Sequence, residues 1–146
     1  SKKVEIYSET LEECGYDPLP THKPPPQDPE HPLSLVTGIR EAEYTHTQFR
    51  EIFSLRRLNP EPIAQINLGT AKKYGIVDGE IVIIETKNGS IKIRVRVTDK
   101  IIPSVVTVPH GWSVANENEL TDTENLDPIS GFPTLKGIPC RIKSTK

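Results

Sequence analysis

The sequence predicts a mainly β domain with a few short helices, its strands closed into a barrel. Three observations carry this. Residues 81–86 (Ile81-Val82-Ile83-Ile84-Glu85-Thr86) are rich in β-branched side chains, which fit a pleated, half-buried surface. Asn88-Gly89 follows, and the ease with which both residues take positive φ makes it the strongest short hairpin signal. From Ser90 to Thr98 the chain then alternates strictly, Ile91, Ile93, Val95 and Val97 against Lys92, Arg94 and Arg96. A period of two sends one set inward and the other to water.

The remaining elements can be taken in order. Residues 3–14 open with Val4 and Ile6 in alternation and continue as an acidic, helix-compatible turn or two. Seven of the fourteen prolines fall between Asp17 and Pro32, including Pro24-Pro25-Pro26. Fixed φ and missing N–H groups make that stretch an extended connector. Residues 1–30 are therefore read as a linker and 31–146 as the folded domain. His31 to Gly38 reads as the first strand. Tyr44 to Arg57, with Phe49, Ile52, Phe53 and Leu55, reads as a short helix or an irregular loop. Ile63–Ile66 is a second strand, and Thr70–Gly75 one or two helical turns with Gly75 as a left-handed stop. Residues 77–80 form a turn. Val105–Val108 is an almost continuous apolar strand, predicted to be buried on both faces, and Pro139–Ile142 closes the set. Many short strands with Gly and Asn turns favour a barrel over a sandwich.

Composition excludes several functions. The apolar share of 34%, the charged share of 26% and a net charge of −2 with both signs interspersed leave no basic field for nucleic acid or acidic lipid. No apolar run approaches a membrane span, so neither nucleic acid nor direct membrane contact is expected. Cys14 and Cys140 form no Cys-x-x-Cys, and His22, His31, His46 and His110 share no metal-ligand spacing. His22 and His31, within the connector, read as exposed bystanders; His46 and His110 lie in polar loops beside strand ends. Lys92, Arg94 and Arg96 read as a solvated strand face, with an anion-binding strip as the alternative. No nucleophile elbow, Gly-x-Gly-x-x-Gly or Walker loop is present. The chain has no Met, as expected of a piece of a longer polypeptide.

The run from Pro109 to Gly137 (PHGWSVANENELTDTENLDPISGFPTLKG) is the least strand-like part of the domain. It reads as too polar and turn-rich for core, yet it is not low-complexity. Such a segment is expected to take its shape from a partner or ligand.

The order of several motifs carries a resemblance. Leu35-Val36-Thr37-Gly38-Ile39-Arg40 precedes His46-Thr47-Gln48-Phe49-Arg50, then Leu58-Asn59-Pro60-Glu61-Pro62 and Ala71-Lys72-Lys73-Tyr74-Gly75-Ile76-Val77-Asp78-Gly79. Pro109-His110-Gly111-Trp112, Ala115-Asn116, Leu120-Thr121, Asp127-Pro128-Ile129-Ser130-Gly131-Phe132-Pro133, Lys136-Gly137 and Cys140-Arg141 complete the series. From about His31 onward the chain resembles the C-terminal dinucleotide-binding domain of molybdopterin oxidoreductases of the dimethyl-sulfoxide-reductase type. Its flavour is that of the polysulfide or thiosulfate reductase or acetylene-hydratase-like branch. The resemblance implies a double-psi β-barrel.

It also implies a cofactor, molybdopterin guanine dinucleotide carrying molybdenum or tungsten, held by the full-length enzyme and not expected on the isolated chain. By similarity, Thr37, Gly38 and Arg40 belong to a first cofactor loop and His46, Thr47 and Gln48 to a second. Asn116 suits a pterin edge, Asp127 accepts from loop backbone or a cofactor amino group, and Lys136 adds charge. The metal ligand and iron–sulfur cysteines of such enzymes lie upstream, so this chain contributes no catalytic residue. The implied partners are upstream domains of the same polypeptide and an iron–sulfur electron-transfer subunit. Two rival readings stay open: a free-standing double-psi barrel interaction module, and a small subunit of a tungsten formylmethanofuran dehydrogenase-like complex.

Overall fold

A computed structural model describes residues 2–19 and 21–145. Pro20, counted in the proline connector, lies outside them. The strands are β1 (Leu33–Ile39), β2 (Ile63–Asn67), β3 (Ile81–Glu85), β4 (Ser90–Thr98), β5 (Val105–Pro109) and β6 (Lys136–Ser144). They close in the order β1-β5-β2-β4-β3-β6. The pairs β1–β5 and β2–β4 are parallel and the other four antiparallel. A closed six-stranded barrel with two parallel pairs is the double-psi β-barrel that the sequence led one to expect.

Strand alternation fills the interior. Ile91, Ile93 and Val95 of β4 are buried, as are Val82 and Ile84 of β3, Ala64 and Ile66 of β2, and Leu33 and Leu35 of β1. β5 is buried on both faces, Val106 and Val108 inward and Thr107 outward, at the wall of a cleft it shares with Arg40 and Glu43. The outward face of β4 is solvated, with Arg94 half-buried and paired to Glu61 (2.8 Å). β6 runs three residues beyond the predicted start and two beyond the predicted end. Gly137 takes φ 77° at a register shift opposite Leu35 and Val36, and the strand pairs first with β1 (residues 136–140) and then with β3 (residues 141–144). Glu85 of β3 bonds Arg141 and Lys143 of β6, an ion-pair network that pulls the Glu85 carboxyl down to about 2.

The described residues also hold three α-helical pieces, α1 (Glu9–Glu13), α2 (Phe53–Leu58) and α3 (Leu68–Tyr74), of which α3 packs on β2 and β4. α3 starts on Asn67, whose Oδ1 accepts from the Gly69 amide (2.8 Å), and stops at Gly75 with φ 65°. The connector does not hang free. Pro25 lies against Gly137, where an added Cβ would meet it at 3.1 Å. His31, expected to be an exposed bystander, is only 8% exposed. Its Nδ1 meets Asp28 Oδ2 at 2.7 Å and its amide donates to the Asp28 carbonyl; closing that turn folds the ring under the connector.

Strand directions decide where the loops gather. β1 and β5 run parallel and end together, His110 donating from its amide to the Ile39 carbonyl. β6 starts there, since Val36 pairs with Lys136. The β3–β4 hairpin turn and the approach to β2 lie at that end as well. Residues 40–62, 86–89 and 110–135 therefore form one rim, with α3 and residues 99–104 at the opposite end. The polar run also supplies core, against expectation. Ala115 and Leu120 are 3% and 0% exposed, because a 3-10 turn (Glu117–Leu120) lays Leu120 over the barrel mouth.

Candidate functional site

One guanidinium organises the rim. Arg50 sits in the corner made by two rings set edge-on to each other, its Cζ 3.7 Å from the Trp112 centroid and 4.3 Å from the Tyr44 centroid. Planar, weakly hydrated Arg suits such a place better than Lys. Glu41 sits beside it at 3.4 Å and also accepts from the Trp112 indole N–H at 2.7 Å. Tyr44 packs edge-on against Trp112 and donates its hydroxyl to the Asn59 carbonyl. The loop after β1, the loop after β5 and the end of α2 are thus tied at one point.

Arg50 Nη2 donates to the carbonyls of both His46 (3.0 Å) and His110 (3.1 Å). The two imidazoles lie 4.6 Å apart and tilted by 37°. Gly111 makes this approach possible. It takes φ 80°, and a Cβ there would sit 2.8 Å from the His46 carbonyl carbon and oxygen. His46 itself is left-handed at φ 54°, an uncommon conformation for a residue with a Cβ.

The residues predicted from the sequence distribute unevenly over the rim. Arg40, His46, Thr47 and Gln48 are exposed on the loop after β1, and Lys136 is exposed at the start of β6. Among the described residues, no hydrogen bond or ion pair engages the side chains of Arg40, Thr47, Gln48 or Lys136. Thr37 points elsewhere: it is 3% exposed and donates its hydroxyl to the Leu135 carbonyl at 3.2 Å, pinning β1 to the segment before β6. Gly38 follows with φ 76°, which turns the chain out of the strand. Arg40 shares a polar cleft of about 240 Å³ with Arg96, Gln65, Asn59 and Glu43.

Asn116 and Asp127 are committed in part to shaping their own loops. Asn116 Oδ1 accepts from the amide of Asn118 (3.2 Å) and its side-chain nitrogen (3.0 Å), capping the 3-10 turn. Asp127 Oδ1 accepts from the amides of Ile129 and Ser130 and the Ser130 hydroxyl. The Ser130 bonds, with that of Ile129, hold its carboxyl below the usual carboxylate range. Asp122 is lowered further by Asn125, the Glu124 amide and Lys87. Sequence reading missed Glu41, Tyr44 and Glu117 altogether and gave Arg50 no role. Nothing in their spacing marks them, because their partners lie 60 or more residues away in several cases. No cluster of three or more His, Cys, Asp or Glu among the described residues could hold a metal ion. Burial pushes the Cys140 thiol up to about 12, so it is an inert core side chain.

The fold and rim define a class: a double-psi barrel whose polar loops converge at one end. Comparison with known proteins identifies the family. The Molydopterin dinucleotide binding domain model matches residues 33–139, and the chain belongs to that family. It is 32% identical to acetylene hydratase of Syntrophotalea acetylenica, an alignment covering 94% of this chain and 22% of that protein. Dopamine dehydroxylase of Eggerthella lenta is 34% identical over 96% of this chain and 16% of its own length. The solved structure of acetylene hydratase from Pelobacter acetylenicus superposes with a TM-score of 0.87 at 28% identity, over 97% of this chain and 23% of that one. The chain thus spans about a fifth of the length of the relatives it matches. Their kinship makes it a molybdopterin dinucleotide-binding domain of the dimethyl-sulfoxide-reductase family.

Proposed function

We propose that this domain closes over a bis-pyranopterin guanine dinucleotide cofactor carrying molybdenum or tungsten, within a longer oxidoreductase, and supplies binding contacts but no catalytic residue. One observation carries the reading. Strand directions bring Arg40, His46, Thr47, Gln48, Asn116 and Lys136 to a single barrel rim, and among the described residues four of these side chains make no hydrogen bond or ion pair there. A pterin presents a flat ring with a donor and acceptor edge, and a guanine dinucleotide adds phosphates. Unspent amide, hydroxyl and cationic groups fit that chemistry, since each hydrogen bond left unmade on burial costs about 1–3 kcal/mol.

In this reading Arg40 and Lys136 offer charge to phosphate or ring oxygens. His46, Thr47, Gln48 and the Asn116 amide meet the heterocycle edge. Thr37 and Gly38 shape the first loop, and Asp127 keeps the last loop folded while offering its second oxygen. The metal, when bound, supplies the redox or Lewis-acid chemistry. Residues 1–30 are taken as the connector from preceding domains. Exposed Phe49, Phe53, Leu58 and Val114 beside the rim suit packing against such domains. An iron–sulfur partner subunit is part of the same proposal.

The test uses the complete polypeptide, with pterin and metal counted per protein. Asn116→Ala and His46→Ala should each lower occupancy while leaving the unfolding midpoint within a few degrees. Unchanged pterin and metal content in both variants would overturn the reading.

A further inference from the structure

The peptide between His110 and Gly111 is gripped from both sides by opposite charges. Its carbonyl accepts from Arg50 Nη2 at 3.1 Å, and its N–H donates to Glu117 Oε1 at 3.4 Å. A cation at the oxygen and an anion at the hydrogen both favour the dipole of that one peptide. Neither charge is at the surface: Glu117 is 8% exposed, and the Arg50 side chain 14%. Each also keeps one buried atom without a hydrogen bond among the described residues, Arg50 Nε and Glu117 Oε2.

A buried carboxylate with an unspent oxygen is a costly way to close a loop, and apolar side chains would close it with less penalty. What charges add is direction. The clamp fixes the left-handed Gly111, and with it the backbone from which the His110 ring projects. The same Arg50 nitrogen also bonds the His46 carbonyl, so one group sets both imidazoles at their 4.6 Å spacing.

We infer that Arg50 and Glu117 are positioning residues that present His46 and His110 together as one cofactor-facing unit, with His110 a contact residue beside His46. The inference rests on the proposed cofactor role, and extends it to three residues outside the predicted set.

The test again takes the complete polypeptide with its cofactor. Pterin per protein is measured first. Diethylpyrocarbonate modification of His46 and His110 is then followed by mass spectrometry after cofactor removal. Arg50→Gln, Glu117→Ala and His110→Ala should each lower pterin occupancy about fivefold, the scale of one lost hydrogen bond. Because Arg50 and Glu117 act through a single peptide, the double variant should fall no lower than the worse single. Glu117→Gln should stay within about twofold of the parent, since its amide oxygen still accepts from Gly111. Modification rates at both histidines should change together in Arg50→Gln. If that variant does not accumulate, Arg50→Lys decides: less than half the parent occupancy is expected, because an ammonium lacks the planar fork.

Parent occupancy in Arg50→Gln (or Arg50→Lys) and Glu117→Ala, with loss in His46→Ala, would overturn the clamp and leave the cofactor role standing. Parent occupancy in His46→Ala and Asn116→Ala would instead overturn the cofactor role. Losses that merely track the unfolding midpoint, equalled by a wall variant such as Ile84→Ala of matched stability, would also overturn the clamp.

Discussion

The two ends of the barrel are closed by different means. At one end α3 and residues 99–104 make a cap from local signals: Asn67 starts the helix, Gly75 ends it, and Thr70 Oγ1 accepts from the Ser104 amide at 2.9 Å. Asn67 also donates to the Ile101 carbonyl. The rim has almost no regular structure. Both ends hold left-handed backbone, Gly75, Gly79 and Ser104 at the cap and Gly38, His46, Phe49, Gly111, Gly131 and Gly137 at the rim, but the rim also spends largely buried charge at Arg50, Glu41 and Glu117. An end that only had to be shut could be built like the first. The rim keeps charge as well as strain where they expose polar side chains in fixed directions, which is how proteins build sites.

If that contrast is right, Leu120 should matter most among rim residues. It is fully buried beneath the 3-10 turn and its carbonyl accepts from Thr86. Leu120→Ala should cost about 2–5 kcal/mol in urea unfolding, as much as Ile84→Ala in the wall. A loss below 1 kcal/mol, by the same core scale, would mean the rim is not anchored to the barrel. The two glycine ends come next. Gly75→Ala meets only left-handed strain, with nothing within 4 Å of the new Cβ, and should cost about 1–2 kcal/mol. Gly111→Ala meets the His46 backbone at 2.8 Å as well, so it should cost clearly more than Gly75→Ala. Equal costs would remove the argument that the two histidine loops are forced together.

A smaller effect should appear in hydrogen exchange. Residues 122–134 lack strand or helix and hold themselves by Asx-type turns, so their amides should exchange faster than those of α3 and the barrel strands. Acid should sharpen this difference. Asp122 and Asp127 have folded-state values below the unfolded range near 4. Their contribution is therefore complete above that range and fades as pH falls through the lowered values. Protection in this loop, taken relative to the free-amide exchange rate at the same pH, should fall as pH drops below about 4, whereas that of α3, capped by neutral Asn67 and Gly75, should not. A loop as protected at pH 3 as at pH 6 would contradict the role given to these carboxylates.

The wall of the barrel was easy to read. Ile81–Thr86, Asn88-Gly89 and the alternation from Ser90 to Thr98 specify a hairpin from contacts a few residues apart, and β3 and β4 run as expected. Gly75 announced its own left-handed cap. β6 was read too short because Gly137 looks like a breaker just before Pro139; the strand passes through it at a register shift, paired to β1. His31 was misjudged because a connector composition says nothing of a ring folded back on Asp28. The clamp on the His110–Gly111 peptide was invisible, since Arg50 and Glu117 come from separate loops with no shared spacing.

The sequence by itself determined the barrel class, most strand positions, the left-handed cap and, through the order of its motifs, the family. Those follow from period, propensity and turn chemistry, all of which act over a few residues. Only the tertiary structure decided that the loops after β1 and β5 and the start of β6 share one rim. It alone decided that Leu120 is core and that Arg50 and Glu117 grip a single peptide. Parallel pairing across long crossovers sets those neighbours, and no local pattern encodes which distant residues a closed barrel brings together.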